Sequence, residues 1–257
     1  MRRNKIKPKY LSIIMANDKE DEVSNSFNKM EKKLLKGLIS FMWVILMLFW
    51  GIIPSVVLAL LGIDISNLSD TTKIIITFIN DLLFLGLLIG VYYKTLKKDM
   101  VKYFKYNFKD NIKQAISYWL IGLGIMFVSN LIISIIMNGE LAENEESVRY
   151  LIQIAPLYMV FQLVVYAPIT EELIFRKSIR DIISNNYLFA IISGLIFGGL
   201  HVISSLTNIW GLLYLIPYCS LGIAFGFLYA KSDNIFSTMS VHAMHNSLAL
   251  LLYLTAL

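Results

Sequence analysis

The chain has little charge and almost no cysteine, and both shortages exclude classes of protein. Only 16% of its 257 residues are charged, against roughly 25% in a soluble domain. In contrast, 57% of the residues are hydrophobic and the mean hydropathy is +0.65. The single cysteine, Cys219, excludes an internal disulfide and a cysteine-rich zinc site. We therefore interpret the chain as an integral membrane protein, in which Cys219 is a small packing residue.

Long apolar segments predict the fold class. A bilayer core of roughly 30 Å needs about 20 apolar residues in a helix, and seven segments qualify or nearly do: 37–62, 74–93, 115–137, 151–170, 187–204, 209–230 and 237–257. They predict an all-α, polytopic membrane helix bundle with about seven transmembrane helices. Residues 37–257 are expected to form one transmembrane domain. The polar residues 1–36 are expected to form a flexible cytoplasmic tail or, alternatively, a helix on the membrane surface.

The distribution of lysine and arginine predicts the orientation. Ten of the 23 basic residues lie in residues 1–36, seven in 94–114 and three in 176–186. Short loops rich in lysine and arginine stay on the cytoplasmic side, so we expect a multi-pass protein of the cell membrane with a cytoplasmic N-terminus. The net charge of +5 is explained by this topology and by contact with the lipid bilayer, and no nucleic-acid partner is expected.

Two adjacent acids and an arginine follow the fourth of these apolar segments. Successive helical residues are rotated by roughly 100°, so the carboxylates of Glu171 and Glu172 are expected to face different directions and to have different roles. Glu172 precedes Arg176 by four residues, the favourable order for a helical ion pair. We assign Glu172 and Arg176 to a pair that organises a site, which leaves Glu171 free for chemistry. The alternative is that all three residues mark the membrane border, where charge costs little.

Two further polar clusters lie inside later apolar segments. Phe197 precedes His201 by one helical turn, with Gly198 and Gly199 between them; glycines let another backbone approach closely. In the last segment, His242 and Asn246 are four residues apart and share a helix face. Ionisable groups at such depth generally face a bundle interior or a wet cavity. Each cluster also has an ordinary alternative, which is hydrogen bonding between packed helices.

Together, the patterns Glu-Glu-x-x-x-Arg, Phe-x-x-x-His and His-x-x-x-Asn, in this order, resemble the CPBP family of intramembrane proteases, also called the Abi or CAAX-protease family. The resemblance covers about residues 150–257. It implies an all-helical bundle around a conical cavity that is reached from the cytoplasm or the bilayer. The family often has glycine after the arginine, whereas this chain has Lys177. The positions that correspond to the family's site are Glu171, Glu172, Arg176, His201, His242 and Asn246.

The chemistry of these residues agrees with peptide hydrolysis. A partly desolvated carboxylate binds a proton more readily, so Glu171 is expected to act as the base that activates water, while His201 holds that water. His242 and Asn246 are expected to donate hydrogen bonds to the developing oxyanion. No serine or cysteine occupies a comparable position, so we expect direct attack of water and no acyl-enzyme.

The resemblance also suggests a substrate and a biological role. Family members cleave the C-terminal tripeptide of prenylated CAAX proteins, and bacterial relatives are linked to bacteriocin self-immunity and to maturation of peptide pheromones. We expect an intramembrane endopeptidase that acts on a hydrophobic peptide or a membrane protein. The alternatives are a peptide-binding immunity or scaffold protein without catalysis, and a proton-coupled transporter that uses Glu171, Asp81 and the histidines.

Participation of a metal is the remaining alternative. Glu171, His201 and His242 would supply three zinc ligands and leave a fourth position open. The chain has no His-Glu-x-x-His helix, however, and the resemblance favours a glutamate-dependent mechanism without an obligatory metal or other cofactor.

Overall fold

The computed structural model describes residues 8–106 and 108–256, and the side chains of residues 26–106 and 108–255. These ranges are almost entirely helical and contain no strand, so the predicted all-α bundle is confirmed. The helices are α1 (Pro8–Trp50), α2 (Ile53–Leu60), α3 (Asp70–Lys105), α4 (Phe108–Ile136), α5 (Glu143–Ile154), α6 (Pro156–Ser178), α7 (Asn186–Val202), α8 (Leu215–Ser232) and α9 (Ile235–Ala256).

Six helices in the described part of the chain are long and apolar enough to cross a membrane: α1 from Ser26, α3, α4, α6, and α7 and α8 with the short 3₁₀ turns next to them. A multi-pass membrane protein is therefore confirmed. The seventh predicted segment forms α9, whose 22 residues are also sufficient in length to cross a bilayer core. Its hydropathy is lower than that of the other six helices, because it carries the polar residues His242, His245 and Asn246. Residue 257 of that segment lies outside the described residues.

Two of the predicted segment borders are wrong. The run 37–62 is not one helix, because α1 ends at Trp50 and α2 begins at Ile53. The run 151–170 is divided at Pro156, which begins α6 because its fixed ring fits a first helical turn. That helix continues to Ser178, so Arg176 lies inside it and not in a loop. The count of apolar residues ended this segment too early, because it treated the paired charges of Glu172 and Arg176 as the border of the membrane.

The residues of the expected N-terminal tail are helical where the structure describes them. Residues 8–36 continue directly into the first membrane helix as part of α1, while residues 1–7 lie outside the described residues. Residues 9–36 contain neither glycine nor proline, the two residue types that most strongly oppose a helix.

The apolar core surrounds the second half of α6. The fully buried residues Leu173, Ile174 and Phe175 contact a cluster that includes Phe84 of α3 and Phe189 of α7. The surrounding helices therefore fix this part of α6.

Glycines set the distance between α7 and α8. A Cβ atom on Gly194 would lie 2.5 Å from the backbone nitrogen of Ile223, and one on Gly198 would lie 2.4 Å from Sγ of Cys219. The predicted close approach at Gly198 and the packing role of Cys219 are therefore confirmed. At Gly199 the expectation is wrong, because nothing lies within 4 Å of a Cβ atom there.

Alanine at Gly194 is expected to destabilise the bundle, since its methyl group would overlap backbone atoms of α8. Overpacking of this kind costs about 1–3 kcal/mol. The midpoint of thermal unfolding in detergent should fall for Gly194→Ala and stay at or above the wild-type value for Gly199→Ala, which makes the same change in open space on the same helix. Equal midpoints for both variants would contradict the tight α7–α8 contact.

Candidate active site

The predicted acids and histidines meet where α6, α7 and α9 come together. Oε1 of Glu171 lies 3.9 Å from Nε2 of His201, and its Oε2 lies 3.8 Å from Nε2 of His242. Glu172, the next residue, contacts His242 from the other side, with 3.0 Å between Oε1 and Nδ1. The two neighbouring acids therefore face opposite nitrogens of one imidazole.

This arrangement depends on an irregular helix. In α6 the chain adopts π-helical geometry at Gln162–Tyr166 and again at Glu172–Ser178. Glu171 ends the short α-helical stretch between them, Ala167–Glu171. Such π-helical turns occur frequently at functional sites. Nothing in the residue spacing of the sequence indicated either turn.

Arg176 holds Glu172 in place. Both side chains are fully buried, and Nε of Arg176 lies 3.1 Å from Oε2 of Glu172. Nη1 donates a hydrogen bond of 2.7 Å to Oγ of Ser193, which in turn donates to the backbone oxygen of Phe175. The guanidinium also lies over the ring of Phe197, at 5.1 Å from its centroid. A buried charge requires such partners, so this network fixes Glu172 as an anionic anchor for His242.

The partners of His201 determine which of its nitrogens carries the proton. Nδ1 lies 2.8 Å from the backbone oxygen of Phe197, and a carbonyl oxygen only accepts hydrogen bonds. Nδ1 is therefore the donor, and Nε2, which is directed toward Glu171, is an acceptor whenever it carries no proton. The ring is held between Phe197 at 4.4 Å and Tyr218 at 5.4 Å between centroids.

The orientation of His242 is likewise set by the partner of its Nδ1. Its Nδ1 faces the carboxylate of Glu172, which accepts hydrogen bonds and, when ionised, donates none. Nε2 is thereby directed toward Glu171. When both ring nitrogens are protonated, Nε2 becomes a donor inside the site.

A comparison with known protein families gives a match over the region that contains these acids and histidines. Residues 153–248 match the sequence profile of the family described as type II CAAX prenyl endopeptidase Rce1-like. The resemblance to the CPBP family is confirmed. A curated protein of Bacillus subtilis (strain 168), named "Putative membrane peptidase YdiL", is 30% identical over 150 residues, which are 57% of this chain and 52% of that protein. This chain thus aligns with about half the length of that relative. No solved structure matches the chain.

Asn246, the last position of the CPBP pattern, has a different contact from the one its predicted role requires. Its Nδ2 donates a hydrogen bond of 2.9 Å to the backbone oxygen of Leu163, in the first π-helical turn of α6. The amide thus joins α9 to α6. Its assignment as an oxyanion donor stays a prediction.

The acid–histidine cluster contains the three candidate zinc ligands Glu171, His201 and His242. Within the described residues, no three His, Cys, Asp or Glu side chains are placed to hold a metal ion. Nε2 of His201 lies 3.9 Å from one oxygen of Glu171, and Nε2 of His242 lies 3.8 Å from the other. The metal-free site that the sequence favours stays a prediction.

Three polar residues outside the CPBP pattern are also accounted for. Nδ1 of His245 accepts a hydrogen bond of 3.3 Å from Trp119. Lys177, which replaces the family's usual glycine, forms a 2.6 Å ion pair with Asp181 at the end of α6. Asp81 of α3 accepts hydrogen bonds from Tyr158 and Gln162 of α6.

Two residues of the site, Ser193 and Tyr218, were not predicted from the sequence. The only signal for them was a lone serine or tyrosine within an apolar helix.

Proposed function

We propose that the protein is an intramembrane endopeptidase that hydrolyses a peptide bond of a hydrophobic or membrane-associated substrate, with water activated by Glu171. The observation that carries this proposal is the placement of Glu171 between the Nε2 atoms of two imidazoles on different helices, at 3.9 Å and 3.8 Å. A carboxylate in such surroundings is suited to general-base catalysis.

The distance between Glu171 and His201 suits a bridging water. At 3.9 Å the two atoms are too far apart for a direct hydrogen bond, and one water fits between groups at this separation. Both atoms are acceptors, so the water donates one hydrogen to each and its oxygen lone pairs face away from them. That oxygen is the nucleophile.

The proposed reaction then proceeds in two steps. The water oxygen forms a bond to the carbonyl carbon of the substrate while its proton moves to Glu171, and the carbonyl oxygen becomes an oxyanion. Protonated His242, held by Glu172 at 3.0 Å, donates from Nε2 to this oxyanion. Glu171 next gives its proton to the leaving nitrogen, the C–N bond breaks, and a carboxyl and an amine terminus result. In this proposal no step requires a metal.

The test is incubation of purified protein with two sets of probes, farnesylated peptides ending in a CAAX sequence and hydrophobic peptides without a lipid. Mass spectrometry should detect products from at least one set, at the same rate with and without a chelator. Loss of cleavage with chelator and recovery with zinc would contradict the metal-free mechanism. A folded protein that binds a probe without cutting it would support the scaffold alternative, and proton-driven flux in proteoliposomes would support the transporter.

We further propose a cytoplasmic N-terminus, based on the lysines in the last turns of α3 and the first turns of α4 and on the acidic start of α5. A cysteine introduced at the exposed Lys98 should react with a membrane-impermeant maleimide only after cells are opened, whereas one at the exposed Glu146 should react in intact cells. Labelling of the cysteine at position 98, and not of the one at position 146, in intact cells would contradict the proposed orientation.

A further inference from the structure

The direction in which Glu171 points depends on the first π-helical turn of α6. In π-helical geometry each hydrogen bond spans five residues, and in an α-helix it spans four. A π-helical turn therefore holds one additional residue, and everything that follows is rotated by roughly 100° relative to an uninterrupted α-helix. Glu171 follows the turn Gln162–Tyr166, so without this turn its carboxylate would face away from the two histidines.

A buried acid on α3 holds the beginning of this turn. Oδ2 of Asp81 accepts a hydrogen bond of 2.8 Å from the hydroxyl of Tyr158 and another from Nε2 of Gln162. Nε2 of Gln162 also lies 2.7 Å from that hydroxyl, which closes the triangle. Gln162 is the first residue of the π-helical turn.

The next residue of the turn is held by a different helix. The backbone oxygen of Leu163 accepts the hydrogen bond from Asn246 of α9. Two consecutive residues, Gln162 and Leu163, are thus fixed by side chains from two different helices. An asparagine between helices is common in membranes, but an intramembrane acid is not. Asp81 is only 6% exposed, and a buried acid within a membrane helix is costly unless it has partners.

We propose that Asp81 is a positioning residue of the active site: through Gln162 it maintains the π-helical turn of α6 and thereby directs Glu171 toward His201 and His242. This inference rests on the proposed function. Asp81 touches neither the acid–histidine cluster nor the place of the attacking water. Its carboxylate serves as a hydrogen-bond acceptor, and its charge and its proton play no part.

Two substitutions distinguish the role of the Asp81 carboxylate as a hydrogen-bond acceptor from any role of its charge. Asp81→Asn keeps an oxygen that accepts from Tyr158 and Gln162 but removes the charge, whereas Asp81→Leu removes both. The turnover number kcat for the best probe peptide should fall about 100-fold in Asp81→Leu, the loss typical of a catalytic group displaced by about 1 Å, with KM within twofold of wild type. Asp81→Asn should stay within about threefold of wild type. The matched control is Thr77→Leu, which makes an apolar change at an exposed position one turn earlier on α3.

Hydrogen exchange provides a readout that needs no substrate. Peptides that cover residues 162–171 should exchange faster in Asp81→Leu than in wild type, and at the wild-type rate in Asp81→Asn and Thr77→Leu. Equal losses of kcat in Asp81→Asn and Asp81→Leu would overturn the inference in favour of a proton relay. Unchanged exchange and unchanged kcat in Asp81→Leu would overturn it entirely. If wild-type protein cleaves no probe, the proposed function fails, and the exchange data still decide whether Asp81 holds the turn.

Discussion

Glu171→Gln is expected to lower the rate of peptide cleavage by about 10²–10⁴-fold, the range associated with loss of a general base. Glutamine has nearly the same size and keeps polar atoms toward the two histidines, but its amide does not take a proton from water. The measurement is the initial cleavage rate of detergent-purified protein, followed by mass spectrometry.

The matched control is Glu143→Gln, the same substitution at an exposed acid at the start of α5. It should cleave at the wild-type rate, and the thermal unfolding midpoints of both variants should remain close to wild type. A Glu171→Gln protein that is folded and retains more than half of the wild-type rate would show that another group activates the water.

Arg176→Met is expected to have the largest effect on stability. The substitution removes the 3.1 Å partner of Glu172 and leaves that fully buried carboxylate without its cation. Breaking a buried ion pair by removing one partner costs about 3–5 kcal/mol. The contact with Ser193 and the stacking on Phe197 would be lost as well. The thermal unfolding midpoint in detergent should fall sharply.

A double variant tests whether the unpaired charge causes this loss. Glu172→Gln combined with Arg176→Met removes both charges and should recover part of the stability that Arg176→Met alone loses, since no buried ion remains unpaired. Lys97→Met, on the exposed surface of α3, serves as the control and should unfold like wild type. If the double variant is no more stable than Arg176→Met, the loss comes from packing and the ion-pair account is wrong.

Residue spacing predicted those parts of the site that lie on a single helix. The separation of four residues between Glu172 and Arg176 indicated an ion pair, and the pair is present. The four-residue separation of Phe197 and His201 indicated a shared face, and their rings lie 4.4 Å apart. Regular α-helical geometry is sufficient for both, because 3.6 residues per turn brings such positions together.

Spacing did not predict the contacts that cross between helices. A regular helix separates Glu171 and Glu172 by about 100°, yet both reach His242, because it stands between them and α6 is π-helical from Glu172 onward. The hydrogen bonds from Arg176 to Ser193 and from Asn246 to Leu163 join different segments of the chain. Such pairings depend on how the helices pack against each other, which periodicity within one segment does not encode.

The sequence also did not predict how deeply the charged residues lie within the bundle. A count of apolar residues ended the fourth segment at residue 170 and placed Arg176 in a cytoplasmic loop. In the structure its side chain is 0% exposed. Hydropathy treats each charge as isolated, whereas mutual pairing lets Glu172 and Arg176 lie within the bundle.

An experimental density map of the purified protein in lipid nanodiscs, at a resolution that shows ordered water, tests the central claim most directly. The account predicts a water within hydrogen-bond distance of both Oε1 of Glu171 and Nε2 of His201, with Glu171 and Glu172 on opposite nitrogens of His242. Side chains of Glu171 and His201 that face the lipid, or a metal ion bound between the two histidines, would contradict it.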